Sequence, residues 1–192
     1  MTLDFTLAEY EYEWTKALWD GRVEPQGLDL TTVDYHNPER FTRMAIDLEF
    51  DACEMSMGSY LATRSKADEF PFTAIPVFPS RKFRHGYIYK RKGAGVESLA
   101  DLNDSPVGIV NWQTTTGIWQ RGIARERHGL DTESVDWKAA KTEIIDIDTP
   151  SYDIEYLDRD GMSLYVVEDM VEDGEVDAVF HPMFLHNEDS TR

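Results

Sequence analysis

The first part of the chain alternates segments of strand pattern with segments of helical pattern. Apolar and polar residues alternate from Leu3 to Ala8, as they do on a half-buried strand. From Glu9 to Trp19 the apolar residues recur at helical spacing, and the turn Asp20-Gly21 follows. A β-rich run then extends from Leu28 to Val33. The pattern predicts a strand, a helix and a second strand.

A second helix is predicted to open at Asn37-Pro38-Glu39, with Asn37 as its N-cap and Pro38 in its first turn. A short strand is predicted from Phe50 to Met55. The segment from Ser56 to Ala62 then favours a helix whose first amides face the end of the sheet. Alternating strands and helices of this length indicate right-handed parallel units.

The segment from Phe72 to Tyr89 breaks this alternation. It is mostly extended in pattern and is interrupted by Pro76, Pro79 and Gly86. An irregular segment of this length is a natural crossing between two lobes. We therefore expect the chain to pass here from a first α/β lobe to a second.

The strand and helix alternation resumes after the crossing. The pattern predicts a short helix at 98–102, a buried strand at 107–110, a helix from Gln113 to the stop at His128-Gly129, a helix at 163–173 and a strand at 176–180. The polar, turn-rich run at 146–161 is predicted to be a loop. The second half of the chain therefore has the same α/β character as the first.

The charge of the chain is strongly negative. It has 37 acidic against 19 basic residues and a formal net charge of −18, with the acids spread along its whole length. This balance argues against nucleic acid as a partner. Such a charge repels itself at low ionic strength, and salt shortens the screening length, so we interpret the chain as adapted to a salt-accumulating cytoplasm. The alternative is an ordinary acidic enzyme.

The cysteine content and the hydropathy restrict the compartment. Cys53 is the only cysteine, so neither an intrachain disulfide nor a Cys-based zinc cluster can form within one chain. The sequence has no signal-peptide pattern at its start and no apolar run of about 18 residues that could span a bilayer. We expect a cytoplasmic protein with no membrane partner.

Four segments carry a resemblance to a known family. They are DGRVEPQGLDL, EFDACEMSMGSYL, IPVFPSRKFRHGYIY and VGIVNWQTTTGIWQRGI. The third is the most specific, because hydrophobic periodicity would not demand its order of Pro, Arg and His residues. On these segments the chain resembles the 4,5-dihydroxyphthalate decarboxylase family and related solute-binding-like proteins over nearly its whole length.

The resemblance implies an α/β fold of the type 2 periplasmic-binding-protein-like class, with two lobes and a ligand cleft between them. We expect a first lobe at 1–88 and a second at 89–192. In the family the chain normally returns to complete the first lobe, whereas this sequence stops at Arg192. The first lobe is therefore expected to be incomplete, with the chain either a fragment, a homo-oligomer or one that a second polypeptide completes.

The resemblance also implies an activity, namely the cofactor-independent decarboxylation of a hydroxylated aromatic dicarboxylate such as 4,5-dihydroxyphthalate. The expected partner is therefore a small anionic aromatic molecule. The alternative is a cytoplasmic solute-binding-like protein that binds a small anion without catalysis, since one fold hosts both binders and enzymes. A third interpretation is a nonfunctional fragment.

Hydroxyl-bearing residues lie at two predicted helix N-termini, where unpaired amides attract anions. At the first, Ser56 and Ser59 flank Gly58, which allows close approach to the backbone. At the second, the predicted substrate-binding residues are Gln113, Thr114, Thr115 and Thr116. The alternative at both places is plain helix capping.

The SRKFRH sequence supplies the predicted catalytic residues. Arg81 and Arg84 could hold carboxylates by bidentate hydrogen bonds, although in so acidic a chain they could equally form ion pairs. His85 is the candidate proton donor because imidazole titrates near neutrality. The alternative for His85 is a hydrogen-bonded structural residue.

His181 follows the last predicted strand and is a further candidate ligand contact, or alternatively a turn residue before Pro182. The remaining histidines, His36, His128 and His186, have no metal-ligand spacing. No dinucleotide, phosphate-loop or metalloprotease motif is present. The sequence predicts neither a metal nor a cofactor.

Overall fold

The structure is a computed structural model that describes residues 1–185, so His186 lies outside the described residues. The chain is divided into two compact units, Met1–Arg81 and Lys82–Arg192. The expected lobe limits at 88 and 89 stay a prediction. Within the described residues no helix is long and apolar enough to cross a membrane.

The first unit contains a parallel sheet of three strands with the order β2-β1-β3. The strands are β1 (Leu3–Ala8), β2 (Leu28–Val33) and β3 (Ala52–Cys53), and the helices are α1 (Lys16–Trp19), α2 (Asn37–Thr42) and α3 (Met57–Thr63). A π-helical turn at Arg43–Asp47 continues α2, and a 3-10 turn at Arg64–Lys66 continues α3. All three strands run in the same direction, so their carboxyl ends lie at one edge of the sheet.

The second unit contains a five-stranded sheet with the order β4-β8-β5-β6-β7. Its strands are β4 (Ile88–Lys90), β5 (Pro106–Ile109), β6 (Asp136–Ala139), β7 (Ile154–Tyr156) and β8 (Ala178–Phe180), and its helices are α4 (Thr115–His128) and α5 (Ser163–Glu172). Short 3-10 helices span His85–Tyr87 and Leu99–Leu102. The strand β4 is antiparallel to β8, and the other pairs are parallel.

Strand β5 shows how the second unit packs helices on both faces of its sheet. Val107 and Ile109 belong to one hydrophobic cluster together with Ala124 of α4. Gly108, between them, faces α5, since a Cβ added there would lie 3.5 Å from Val167 Cγ1 and 3.6 Å from Met170 Cε. Because side chains alternate along a strand, α4 and α5 cover opposite faces. The cluster that contains Val107 and Ile109 also contains Trp137, which is fully buried.

The sheets confirm the predicted α/β class and most of the predicted elements. The strand predictions for β1 and β2 agree with the structure at both ends. The prediction of Asn37 as an N-cap is wrong, because His36 precedes the helix and Asn37 is its first residue. The Asn37 side chain instead accepts a hydrogen bond from Arg40 Nη2 at 2.6 Å.

Two other predictions about local structure are corrected. The predicted helix from Glu9 to Trp19 is reduced to α1, because the preceding residues are held by side-chain contacts, including the stacked rings of Tyr12 and Trp14 at 4.9 Å. The predicted loop at 146–161 contains β7, an edge strand whose residues are mostly exposed and polar. Edge strands of this kind lack the apolar alternation that marks a half-buried strand.

Candidate functional site

Helix α4 begins at the loop that carries the predicted threonines. Thr114 is the N-cap and has extended backbone angles (φ −54°, ψ 122°), but its side chain does not cap the helix. Its Oγ1 atom donates to the backbone carbonyl of Asn111 at 3.1 Å. Thr115 is half-buried and Thr116 is buried, so the three hydroxyls have different surroundings. The Thr114 side chain is therefore bonded to the preceding loop and not to the helix.

Arg84 lies against the first turn of α4. Its Nη1 atom donates a hydrogen bond to Thr116 Oγ1 at 2.6 Å. Partial burial lowers the pKa of the Arg84 guanidinium below its usual value, and the nearby Tyr87 acts in the opposite direction. Arg84 makes no ion pair with an acidic residue in the described part of the chain. The structure thus places a cation beside a helix N-terminus without a carboxylate partner.

Gln120, one turn further along α4, contacts the backbone of two predicted site residues. Its Nε2 atom donates to the carbonyl oxygen of His181 at 3.0 Å and to that of Arg84 at 3.3 Å. The Gln120 side chain is fully buried. It therefore joins α4 to the segment before β4 and to the end of β8.

His181 follows β8 and is completely buried. Its Nδ1 atom lies 2.8 Å from the carbonyl oxygen of Met183, and its Nε2 atom lies 3.8 Å from Glu168 Oε1 on α5. The backbone amide of His181 donates to the carbonyl of Tyr87 at 2.9 Å. These contacts place the His181 ring within the packed interior of the second unit.

Gln113 and the residue before it are held by Glu143. The amides of Trp112 and Gln113 donate to the two carboxylate oxygens of Glu143 at 2.5 and 2.9 Å. The Gln113 side chain donates from Nε2 to the carbonyl oxygen of Ile145. Burial raises the pKa of Glu143, while the two amides and Tyr156 oppose this shift. The carboxylate thus fixes the turn from which α4 starts.

Arg121 lies beneath this turn. Its guanidinium stacks over the ring of Trp112, with Cζ 3.6 Å from the ring centroid, and Nη2 donates to the Trp112 carbonyl at 2.8 Å. Burial lowers the pKa of Arg121 to about 10. A Cβ at Gly117 would lie 3.2 Å from Arg121 Nη1, so a larger residue at 117 would crowd this arrangement. Arg121 and Glu143 together fix Trp112 and Gln113.

Arg81 and His85 differ from Arg84 in their surroundings. Both are exposed, and among residues 1–185 neither side chain has a hydrogen bond or an ion pair. His85 opens the 3-10 helix His85–Tyr87 directly after Arg84. In the second unit the structure therefore brings Arg84 and Thr116 together, whereas His85 is a neighbour of Arg84 in the chain.

Ser56 and Ser59 lie at the start of α3 in the first unit. Ser56 is the N-cap, and its Oγ atom accepts from the amide of Ser59 at 3.5 Å. Ser59 is buried, and Gly58 beside it is also buried. The helix has seven residues, and its capping by Ser56 agrees with the alternative stated for this position.

A buried polar cluster lies at the carboxyl edge of the first sheet. Glu54 directly follows β3, and it accepts hydrogen bonds from Tyr12 at 2.6 Å and from Arg40 Nη2 at 2.8 Å. Burial and the bond to Glu54 raise the pKa of Tyr12 to about 12. Glu9, which follows β1, accepts from Trp19 Nε1 at 3.0 Å. The edge thus carries both of these acidic side chains and the buried Arg40, whose Nη1 atom also lies 3.6 Å from Asp34 Oδ1.

Sequence reasoning missed the residues that organise both places. These are Gln120, Arg121 and Glu143 in the second unit and Arg40 and Glu54 in the first. The only local signal is polarity at positions where the helical and strand patterns place buried side chains. Within residues 1–185, no group of three or more His, Cys, Asp and Glu residues could hold a metal ion.

Comparison with known proteins gives the family. No family model matches the chain. It is 32% identical over 186 residues to a 4,5-dihydroxyphthalate decarboxylase of Pseudomonas putida, an alignment that covers 94% of this chain and 70% of that protein. A second 4,5-dihydroxyphthalate decarboxylase, from Comamonas testosteroni, is 30% identical over 192 residues, and the chain spans 55% of its length. The chain belongs to the 4,5-dihydroxyphthalate decarboxylase family.

Proposed function

We propose that the protein decarboxylates a hydroxylated aromatic dicarboxylate, with 4,5-dihydroxyphthalate as the first substrate to test. The observation that carries the proposal is the family membership, since both relatives bear the name 4,5-dihydroxyphthalate decarboxylase. The uncompensated Arg84 cation at the start of α4 supports it. A dianionic ligand needs a cation of this kind.

The chemistry follows from the structure of the substrate. In 4,5-dihydroxyphthalate each carboxylate has a hydroxyl para to it, and that oxygen can push electron density to the ring carbon that bears the carboxylate. A proton adds to this carbon, the bond to the carboxylate breaks, and its electron pair returns to the ring as CO2 leaves. The product is 3,4-dihydroxybenzoate. The protein needs to hold the anion and to supply one proton.

In the second unit we assign the anion contact to Arg84 and the start of α4. Thr116 fixes the Arg84 side chain, and the positive end of the α4 helix dipole would face a carboxylate oxygen. His85, exposed and adjacent in sequence, would deliver the proton. Gln113, Thr114 and His181 would contribute through the shape of the site, since their side chains already bond to the protein.

The first-unit residues Ser56, Ser59 and Arg81 are assigned as further substrate contacts. The two-lobed periplasmic-binding-protein-like arrangement implied by the resemblance, with its ligand cleft, is part of the same proposal. The cytoplasmic location, the adaptation to high salt and the small anionic aromatic ligand also belong to this proposal. A crystal structure with the ligand bound would test the assignments to both units at once.

The direct test mixes the protein with 4,5-dihydroxyphthalate and follows CO2 release and the appearance of 3,4-dihydroxybenzoate. Phthalate is the matched control ligand, because it has both carboxylates but lacks the hydroxyls that supply electron density. We expect 4,5-dihydroxyphthalate to be turned over, and phthalate to stabilise the protein thermally without turnover. Absence of both CO2 release and stabilisation would exclude the proposal.

The second candidate function is binding of a small aromatic anion without catalysis. His85 favours it, because a general acid is usually oriented by a hydrogen bond and His85 has none among the described residues. In that case both 4,5-dihydroxyphthalate and phthalate would raise the melting temperature, and neither would release CO2. The same experiment therefore separates the two functions.

A further inference from the structure

Gln120 is a buried polar residue that no hydrophobic pattern requires. It lies in the middle of α4 and has no exposed surface. Burying an amide is costly unless it is hydrogen-bonded. Its Nε2 atom makes two such bonds, to the carbonyl oxygens of His181 at 3.0 Å and of Arg84 at 3.3 Å.

Thr116 lies four residues before Gln120 and on the same side of α4. It accepts the Arg84 side chain at 2.6 Å. The helix therefore holds Arg84 at two points, the guanidinium through Thr116 and the backbone carbonyl through Gln120. The two contacts come from different ends of one residue and fix both its position and its direction.

The bond from Gln120 to the His181 carbonyl connects Gln120 and Arg84 to the sheet. His181 follows β8 directly, and its amide donates to the carbonyl of Tyr87 at 2.9 Å. Gln120 therefore joins the segment at 84–87, the end of β8 and α4 through one side chain. An amide of this length offers two N–H donors, and both carbonyls lie within their reach from the helix.

We propose that Gln120 is a positioning residue that sets the location of Arg84 for the substrate carboxylate. This inference rests on the proposed function, and it assigns to Gln120 no contact with the substrate. A displacement of about 1 Å at a binding group can cost about a hundredfold in rate. Loss of the two bonds should therefore weaken substrate binding through Arg84.

The main test replaces Gln120 by methionine, which keeps the length and removes both donors. We expect the KM for 4,5-dihydroxyphthalate to rise and kcat/KM to fall at least tenfold, with a smaller change in kcat. The matched control is Thr132→Val, because Thr132 is also buried in the second unit and loses only a 3.4 Å contact to Tyr152. Thr132→Val should keep the KM of the wild type.

A double-mutant cycle with Arg84→Gln distinguishes positioning from general loss of stability. If Gln120 acts through Arg84, Gln120→Met should change KM little once the Arg84 cation has been removed. Thr132→Val should have the same small effect in both backgrounds. Full additivity of Gln120→Met and Arg84→Gln would overturn the inference, as would an unchanged KM in Gln120→Met alone.

Gln120→Glu provides a second variant if Gln120→Met does not fold. It keeps the shape, but only its protonated carboxyl can donate a hydrogen bond. Its kcat/KM, taken relative to the wild type at each pH, should therefore rise as the pH is lowered. A ratio that does not depend on pH would contradict the positioning role.

The role of Gln120 can also be tested if the protein does not act on 4,5-dihydroxyphthalate. If wild-type protein neither binds nor decarboxylates 4,5-dihydroxyphthalate, hydrogen exchange of the peptides covering 82–90 and 178–185 still tests the role of Gln120. Faster exchange of both peptides in Gln120→Met, and of neither in Thr132→Val, would support it. Unchanged exchange in Gln120→Met would overturn it.

Discussion

Arg40 and Glu54 form a buried ion pair of 2.8 Å at the carboxyl edge of the first sheet. The Arg40 side chain has no exposed surface, and that of Glu54 is 9% exposed. Arg40 also donates to the backbone carbonyl of Tyr35 at 2.8 Å. The pair thus connects α2, the end of β3 and the segment that precedes α2.

Replacement of Arg40 by methionine should strongly destabilise the first unit. It leaves the Glu54 carboxylate buried without its cation, which typically costs about 3–5 kcal/mol in the free energy of unfolding. Chemical denaturation at neutral pH measures the change. The control is Arg22→Met, because Arg22 and Asp20 form an exposed pair whose removal should have little effect. Equal stability of the two variants would contradict the assigned role of Arg40.

Replacement of Thr116 by valine should weaken binding of the substrate. Valine has nearly the same shape but cannot accept the hydrogen bond from Arg84 Nη1, so the guanidinium is no longer fixed at the start of α4. We expect KM to rise several-fold and kcat to change less. Thr142→Val is the control, because Thr142 is exposed. An unchanged KM in Thr116→Val would mean that this bond does not prepare Arg84 for a ligand.

Replacement of His85 by alanine tests the proton donor. Removal of a general acid typically lowers the rate by about 10²–10⁴-fold, so kcat should fall by at least about a hundredfold while thermal stabilisation by phthalate is retained. His128→Ala is the matched control, since His128 is also exposed and ends α4. A His85→Ala protein with the full rate of decarboxylation would remove the assignment.

The elements that were predicted correctly are those whose sequence has a clear local pattern. β1 and β2 alternate along their length, and Gly129 ends α4 in a left-handed conformation with φ 72°, as its position in the sequence predicts. Strand β6 was not predicted, because it has only four residues. Its alternation of Asp136 and Lys138 with the buried Trp137 is too short to stand out in the sequence. Its strand character comes from pairing with β5.

The candidate site was predictable only in part for a similar reason. Residue chemistry indicated Arg84 and Thr116 separately, but their contact joins positions 32 residues apart. Gln120 and Glu143 were missed, since a glutamine in a helix and a glutamate in a loop are usually solvated. Their roles depend on the carbonyls and amides that the fold brings to them, which no local pattern specifies.

The pH dependence of the free energy of unfolding should reveal the raised pKa of Glu143. Its pKa is raised in the folded protein by burial, so the folded state holds this proton more tightly than the unfolded state does. The stabilisation from protonated Glu143 is complete below its ordinary pKa of 4.5, and it is lost as the pH rises through the raised value. The free energy of unfolding of the wild type, relative to Glu143→Gln, should therefore increase as the pH falls from 7 towards 4.5.

The comparison with Glu143→Gln removes the contribution of the other acidic groups, because both proteins share them. Urea denaturation of the two proteins at several pH values measures the difference. Asp101→Asn serves as a control of opposite sign, because backbone hydrogen bonds from Ser98 and Glu97 lower the pKa of Asp101. A difference between wild type and Glu143→Gln that stays constant with pH would exclude a raised pKa at Glu143.

Salt should stabilise the protein as a whole. Folding brings together the charges of a chain with 37 acidic and 19 basic residues, so repulsion between carboxylates outweighs attraction. Raising the ionic strength from about 0.1 M to about 1 M shortens the Debye length from about 10 Å to about 3 Å. Salt also screens exposed ion pairs such as Lys138 with Glu155 at 2.8 Å, but such pairs contribute little.

The melting temperature in potassium chloride at neutral pH should therefore rise by several degrees over this range of salt. Chloride is preferred to sulfate, because sulfate strengthens apolar burial in any protein and would hide the effect of screening. An ordinary acidic protein whose charges are well paired would show little change. A melting temperature that is the same at both concentrations would contradict the adaptation to high salt and leave the family membership untouched, since that rests on sequence identity.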